Sequence, residues 1–202
     1  MKFLEASKYY SLNKTTYIKL RWISILGQLL TINVVKFIFN FEFNFFLCNL
    51  IILAGVFSNF YLIYVYKEIN LKSKLAFFFL NLDIFQLSFL LYLTGGVINP
   101  FIIFIIIPCF FSSNYLDIKT NLLLVLITIS LIIFMTFFNE GLPKPLNEHF
   151  HVNDHYYYGV PIALCMALIF LNFFGLQFGA EAKIRKEALD KMQEVIAKEH
   201  EL

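Results

Sequence analysis

The chain has 202 residues, of which 59% are hydrophobic, 19% aromatic and only 15% charged, with 26 Phe and a mean hydropathy of +0.72. Soluble domains carry about 25% charged residues, so this composition excludes an ordinary soluble domain and indicates a membrane protein. The net charge of +2 offers no footprint for nucleic acid, and orientation in a membrane follows local Lys and Arg rather than the net value.

Residues 1–19 are polar, and the apolar run after them is too long for a signal-peptide core and lacks a small-residue cleavage site. Six apolar stretches then follow, at 20–39, 45–66, 75–93, 100–116, 121–138 and 158–178, close to the ~17–25 residues that a spanning helix needs. The fourth is short, about 25 Å at a helical rise of about 1.5 Å per residue, and Pro108 breaks its ladder, so a re-entrant segment competes with a span. Charge decides between the two. With six spans, all but Lys36 and Lys144 of the 16 Lys and Arg residues fall on one side, with both termini. Removing the fourth span would strand either the basic N-terminus or the basic tail on the other side. The expectation is an all-α membrane protein with six transmembrane helices and cytoplasmic termini. Cys48, Cys109 and Cys165 sit singly in apolar stretches, which favours buried thiols over disulfides or a zinc site.

In the first span, Trp22 beside Lys19 and Arg21 reads as an interfacial anchor. The third span carries Asn81, Asp83 and Gln86, the last two on one helix face. An intramembrane carboxyl is costly and a functional candidate by default. An interhelical hydrogen bond, for example to Gln28 of the first span, is the simpler role. Proton relay or signal coupling is the other, and a small transporter or channel using Asp83 and Gln86 is the rival reading of the chain. No internal repeat supports that rival.

TGGVINPF, residues 94–101, separates the third and fourth spans. Gly95 and Gly96 tolerate positive φ, Asn99 before Pro is driven out of the helical region, and Pro100 suits a first helical position. As an outer turn, this needs no ligand to explain it. The same residues would also leave the N–H groups of Phe101, Ile102 and Ile103 without intrahelical partners, beside the Thr94 hydroxyl, the Asn99 amide and the Phe101 ring. Those donors and surfaces suit a quinone head, planar with two carbonyl acceptors; an anion would suit the helix N-terminus as well.

Beyond the fifth span, the outer loop reads EHFHVNDHYYY at 148–158. His149, His151, Asp154 and His155 are ligand types for a metal, but their spacing matches no defined site, and none is assigned. Tyr156, Tyr157 and Tyr158 read as an aromatic belt opening the sixth span. The tail, AEAKIRKEALDKMQEVIAKEHEL at 180–202, is rich in helix formers. Ile184, Ala188, Met192, Val195 and Leu202 keep a heptad spacing, with Glu199 at the skipped position, which suits a two-stranded coiled coil. A helix lying on the membrane surface is the alternative. His200 reads as a surface residue of this helix.

GGVINPF resembles the G-G-x-x-N-P-F heptapeptide of the RegB/PrrB-type redox-responsive sensor histidine kinases, in its expected place between spans three and four. LRWISILGQLLTI (20–32) is similar to that family's first span, and FGLQFGAEA (174–182) with AKEHEL (197–202) to its linker. The resemblance implies a two-component signal-input module of the bacterial inner membrane, working as a homodimer among membrane lipids. It implies sensing of ubiquinone or a related quinone through Gly95, Gly96, Asn99, Pro100 and Phe101, to which Thr94 is added here on its chemistry. The expected organisation is a cytoplasmic segment (1–19), a six-helix sensor domain (20–178) and a cytoplasmic linker helix (179–202). These residues hold no phosphoacceptor box, redox-active cytoplasmic cysteine or ATP lid, so no catalysis is expected of them. A response regulator would be reached only through kinase domains that a full-length family member carries.

Overall fold

In the computed structural model, which describes residues 12–145 and 154–200, the chain folds into six helices. They are α1 (Lys14–Phe37), α2 (Phe45–Tyr64), α3 (Ser73–Tyr92), α4 (Ile106–Tyr115), α5 (Ile118–Phe137) and α6 (Asp154–His200). Short polar side chains set three of the starts. Asn13, Asn44 and Asp117 accept the backbone N–H of Thr16 at 3.1 Å, of Leu47 at 3.2 Å and of Thr120 at 3.2 Å. Each cap satisfies a donor that a helix N-terminus otherwise leaves open. The Asn13 cap lets α1 begin at Lys14, six residues before the expected span, and so brings Tyr17 into the packed interior.

Two antiparallel two-residue ladders tie the connections together. β1 (Leu12–Asn13) pairs with β3 (Asn70–Leu71) at one end of the bundle, and β2 (Phe41–Glu42) with β4 (Lys144–Pro145) at the other. Successive helices therefore run alternately between these ends. Ser73 donates to Asp117 at 3.2 Å at the first end, and the Glu140 N–H donates to the Tyr92 carbonyl at 2.9 Å at the second.

Five helices are long and apolar enough to cross a membrane, and Pro100–Tyr115 is a shorter apolar segment. That segment starts as a 3-10 helix over Pro100–Ile105 and becomes α4 for ten residues. Pro108 supplies the reason, because it lacks the N–H that the Phe104 carbonyl would accept in an α-helix. The steeper 3-10 rise brings the segment to about 27 Å, somewhat longer than an all-α reading. Leu80, Ile84, Leu91, Ile105, Leu124, Ile132 and Leu168 form the interior, while Phe46, Phe57, Phe78, Leu126, Phe137 and Phe170 point outward. Apolar side chains on both faces of the same helices suit a lipid surround rather than water.

The last span and the linker run on as one helix across residue 179. α6 is one helix of 47 residues, about 70 Å long, because nothing after Gly179 interrupts a run of helix formers. Ile184, Met192 and Val195 of the heptad stripe are exposed on it. Lys2, Lys8, His149, His151 and Leu202 lie outside the described residues.

Candidate functional site

At the turn, α3 ends because the chain must reverse within a few residues. The Thr94 hydroxyl donates to the Leu90 carbonyl at 2.7 Å, and Gly95 and Gly96 take φ of 111° and 58°. Both values lie where a side chain is strained and glycine is not. A 3-10 turn over Gly96–Ile98 follows, and Asn99 then returns to an extended conformation (φ −64°, ψ 122°) with Pro100 behind it.

Asn99 holds this geometry with all of its amide. Its Nδ2 donates to the Thr94 carbonyl at 2.9 Å and to Thr94 Oγ1 at 2.8 Å, while its Oδ1 accepts the Phe101 N–H at 2.9 Å. The Ile102 N–H donates to the Asn99 carbonyl at 3.0 Å. Two of the three N–H groups expected to be open after Pro100 are therefore taken by Asn99 itself. Thr94 and Asn99 are buried, so neither presents a free polar group outward.

The glycines are covered too. A Cβ on Gly95 would lie 2.6 Å from Leu142 Cδ1, and one on Gly96 would lie 2.7 Å from Asn139 Cβ. The loop after α5 occupies the faces that sequence reasoning left open for a flat ligand. Asn139 is itself fixed, donating to the Met135 carbonyl at 2.9 Å and to the Tyr157 hydroxyl at 3.0 Å, and that hydroxyl donates to the Thr136 carbonyl. Tyr157 thus braces the turn, whereas Tyr156 and Tyr158 are exposed as an aromatic belt requires. What the turn does show outward is aromatic. Phe101 is 40% exposed and its ring stacks on Phe104, with centroids 6.0 Å apart at 19°.

Asp83 and Gln86 make interhelical bonds, as the simpler role required, with two partners the sequence did not name, Arg21 and Tyr17. Gln86 Nε2 donates to Gln28 Oε1 at 3.0 Å, and its amide lies across Gly55, where a Cβ would come within 2.6 Å. Asp83 accepts from Arg21 Nε at 2.9 Å on one oxygen and from the Tyr17 hydroxyl on the other. Arg21 also donates to Ser58 at 2.7 Å and lies over the Tyr17 and Phe79 rings, 5.6 and 5.5 Å from their centroids. Only 4% exposed, Arg21 is turned into the bundle rather than toward the interface. It locks α1, α2 and α3 together, because a charge removed from water demands a paired and hydrogen-bonded partner.

A second polar network joins the other three helices. Asn121 of α5 donates to Asn172 of α6 at 2.9 Å, and Asn172 donates to the Cys109 carbonyl of α4 at 3.2 Å and to Asn121 Oδ1 at 3.2 Å. Ser112 donates to Asn121 Oδ1, and Cys109 Sγ lies 3.1 Å from Thr128 Oγ1. Farther along α6, Gly175 and Gly179 face Ser113 and Asn114 of α4, where a Cβ on Gly175 would collide with the Ser113 hydroxyl. Small residues at this spacing let helix backbones approach closely. GLQFG in the sequence was a signal for this contact that went unused.

The chain is 30% identical over 188 residues to the sensor histidine kinase RegB of Cereibacter sphaeroides, a match that takes in 93% of this chain and 41% of that protein. The chain thus spans less than half the length of the curated relative it matches, and the part matched is its N-terminal region. No family model matches the chain, and no solved structure does. The likeness read from the heptapeptide and its flanking spans therefore extends over nearly the whole chain, as a RegB-type membrane module requires.

Proposed function

We propose that this RegB-type module is the membrane input of a two-component sensor histidine kinase, responding to the redox state of a membrane quinone at the TGGVINPF end of the bundle. The response passes along α6 to the kinase. The module lies in the bacterial cytoplasmic membrane with its basic end inside. It pairs with a second copy through the stripe of Ile184, Ala188, Met192 and Val195, and a response regulator is the partner of the kinase it serves.

A quinone presents carbonyl acceptors and a quinol presents hydroxyl donors. Only such a difference in interaction can bias a two-state protein. Phe101, exposed and stacked on Phe104, offers an aromatic face at the turn to a quinone arriving from the lipid. Thr94, Gly95, Gly96, Asn99 and Pro100 act by shaping the backbone, so Asn99 serves as the brace of the site rather than as a free donor.

One observation carries the relay. The helical segment that begins at Pro100 packs along α6 through Ser113, Asn114 and the Cys109 carbonyl, which accepts from Asn172, and α6 continues unbroken to His200. A shift that reaches α6 through this contact thus meets no break before the tail.

The test is a pulsed electron-spin distance measurement between two copies of the full chain, spin-labelled at Leu189 and held in nanodiscs with ubiquinone or ubiquinol. We expect the distance distribution to differ between the two, and Phe101→Ala to reduce the difference. Identical distributions under both conditions would refute the proposal.

A further inference from the structure

Most buried serine and threonine hydroxyls in this bundle bond a carbonyl of their own helix. Thr94, Thr128 and Thr136 donate to the carbonyl four residues back at 2.7 to 2.9 Å, and Ser113 to the carbonyl three back at 2.6 Å, while Ser112 has Asn121. Ser88 of α3 is the exception. It is 4% exposed, and its Oγ has no hydrogen-bond partner among the described residues. An unpaired hydroxyl away from water costs about 1–3 kcal/mol, and a lipid surround offers nothing to offset that.

Ser88 lines a cleft of about 340 Å³ between α3 and α5, together with Phe85, Phe89, Tyr92, Leu131, Phe134 and Met135. That volume lies within the ~300–1,000 Å³ of small-molecule sites. The wall is a run of near-parallel rings. Phe89 and Tyr92 have centroids 6.1 Å apart at 10°, and Tyr92 and Phe134 lie 6.3 Å apart at 23°. Phe85, Phe89 and Phe134 are about half exposed, so the cleft opens sideways to the lipid. Flat aromatic walls with a single unpaired hydroxyl match a planar, lipid-soluble ring that carries an oxygen acceptor on its edge. An acyl chain would leave the hydroxyl unpaired.

We propose that the quinone ring seats in this α3–α5 cleft and, by turning aside a wall side chain that covers Ser88 Oγ, takes a hydrogen bond from that hydroxyl to one of its carbonyl oxygens. The ligand's identity rests on the sensor reading above; the seat rests on the cleft. Its rim also explains how occupancy reaches the turn. The Tyr92 carbonyl accepts the Glu140 N–H, and the Met135 carbonyl accepts Asn139 Nδ2 beside Gly96. A ring wedged between Tyr92 and Met135 therefore presses on the two residues that hold the loop over Gly95 and Gly96. Ser88 lies six residues before Thr94, about 9 Å along the helix.

The experiment is photolabelling of the full chain in nanodiscs with a ubiquinone analogue whose reactive group sits on the ring, followed by peptide mapping. We expect labelling over 85–92 and 131–135 that unlabelled ubiquinone displaces. Ser88→Ala removes a hydroxyl that bonds nothing in the protein, so it should raise the stability of the unliganded chain, not lower it, and weaken labelling about fivefold. Ser88→Leu fills the cleft and should abolish labelling, and Phe89→Ala should weaken it independently of Ser88. Label confined to 101–104 and indifferent to both Ser88 substitutions would overturn the cleft while leaving the sensor reading intact. No displaceable label anywhere would overturn both. Cleft labelling by a photoreactive phospholipid chain that ubiquinone fails to displace would make the occupant an annular lipid and overturn the seat.

Discussion

Replacing Asn99 with Ala separates a brace from a ligand contact. The substitution removes three hydrogen bonds, from Nδ2 to the Thr94 carbonyl at 2.9 Å and to Thr94 Oγ1 at 2.8 Å, and from the Phe101 N–H to Oδ1 at 2.9 Å. Hydrogen bonds contribute about 1 kcal/mol each in soluble proteins and about 0.6 between side chains in membrane bundles. Asn99→Ala should therefore cost about 2–3 kcal/mol of unfolding free energy. Asn99→Asp keeps the acceptor for the Phe101 N–H but loses both donors, and it should cost about two thirds as much or more, since a carboxylate then faces the Thr94 carbonyl. Thr94→Val removes the shared hydroxyl, so its cost and that of Asn99→Ala should be less than additive. The assay is reversible unfolding in mixed detergent and SDS micelles, followed by circular dichroism. A cost below about 0.5 kcal/mol for Asn99→Ala, combined with lost quinone labelling, would refute the brace and return Asn99 to the role of direct ligand donor.

Removing one member of the buried pair with Asp83→Ala should destabilise by about 3–5 kcal/mol in the same assay, whereas Arg21→Met with Asp83→Leu should cost less than either single change. Additive losses would show that the two side chains do not depend on each other. Gly175→Ala should cost about 1–3 kcal/mol by forcing α6 from α4, with partial recovery in Ser113→Ala because the hydroxyl is the nearest obstacle; an unchanged stability would refute the close crossing. At the bundle end, partial burial pushes the Asp117 carboxyl up, but hydrogen bonds from Thr120 and Ser73 outweigh it and hold its pKa below the ordinary value. A lowered folded pKa means the cap stabilises α5 above about pH 4 and loses that effect as pH falls through the folded value. Hydrogen exchange of the first turn of α5 should rise at acid pH in the native chain relative to Asp117→Asn, which caps without titrating; parallel profiles would remove Asp117 as the cause.

Much of the architecture follows from one-dimensional quantities. Run length was enough to find the apolar helices, including the short fourth one, because each element answers to lipid thickness rather than to its neighbours. Gln28 as a partner for Gln86 was readable because polar groups inside a bilayer seek one another. Nothing in the sequence marks Arg21, beside Trp22, as the partner of Asp83. A basic residue near a span end has two outcomes of similar sequence appearance, snorkelling to the interface or pairing inward. Asp83, 62 positions away, decides between them only once α1 packs on α3. At 179 composition changes while helix propensity does not, so the linker continues the last span as one helix.

TGGVINPF shows the same division most closely. Gly-Gly before Asn-Pro determines a reversal between two helices, because backbone sterics at those residues act within the residues themselves. Whether its donors face a ligand was never a local matter. Tertiary packing turned the Asn99 amide back onto Thr94 and Phe101, and brought Leu142 and Asn139 over the glycines. It also left Ser88, a serine in an apolar run with nothing in the sequence to distinguish it, as the hydroxyl without a partner. Hydrogen bonds are satisfied or lost over a few tenths of an ångström, a scale that helix packing decides and residue order alone does not.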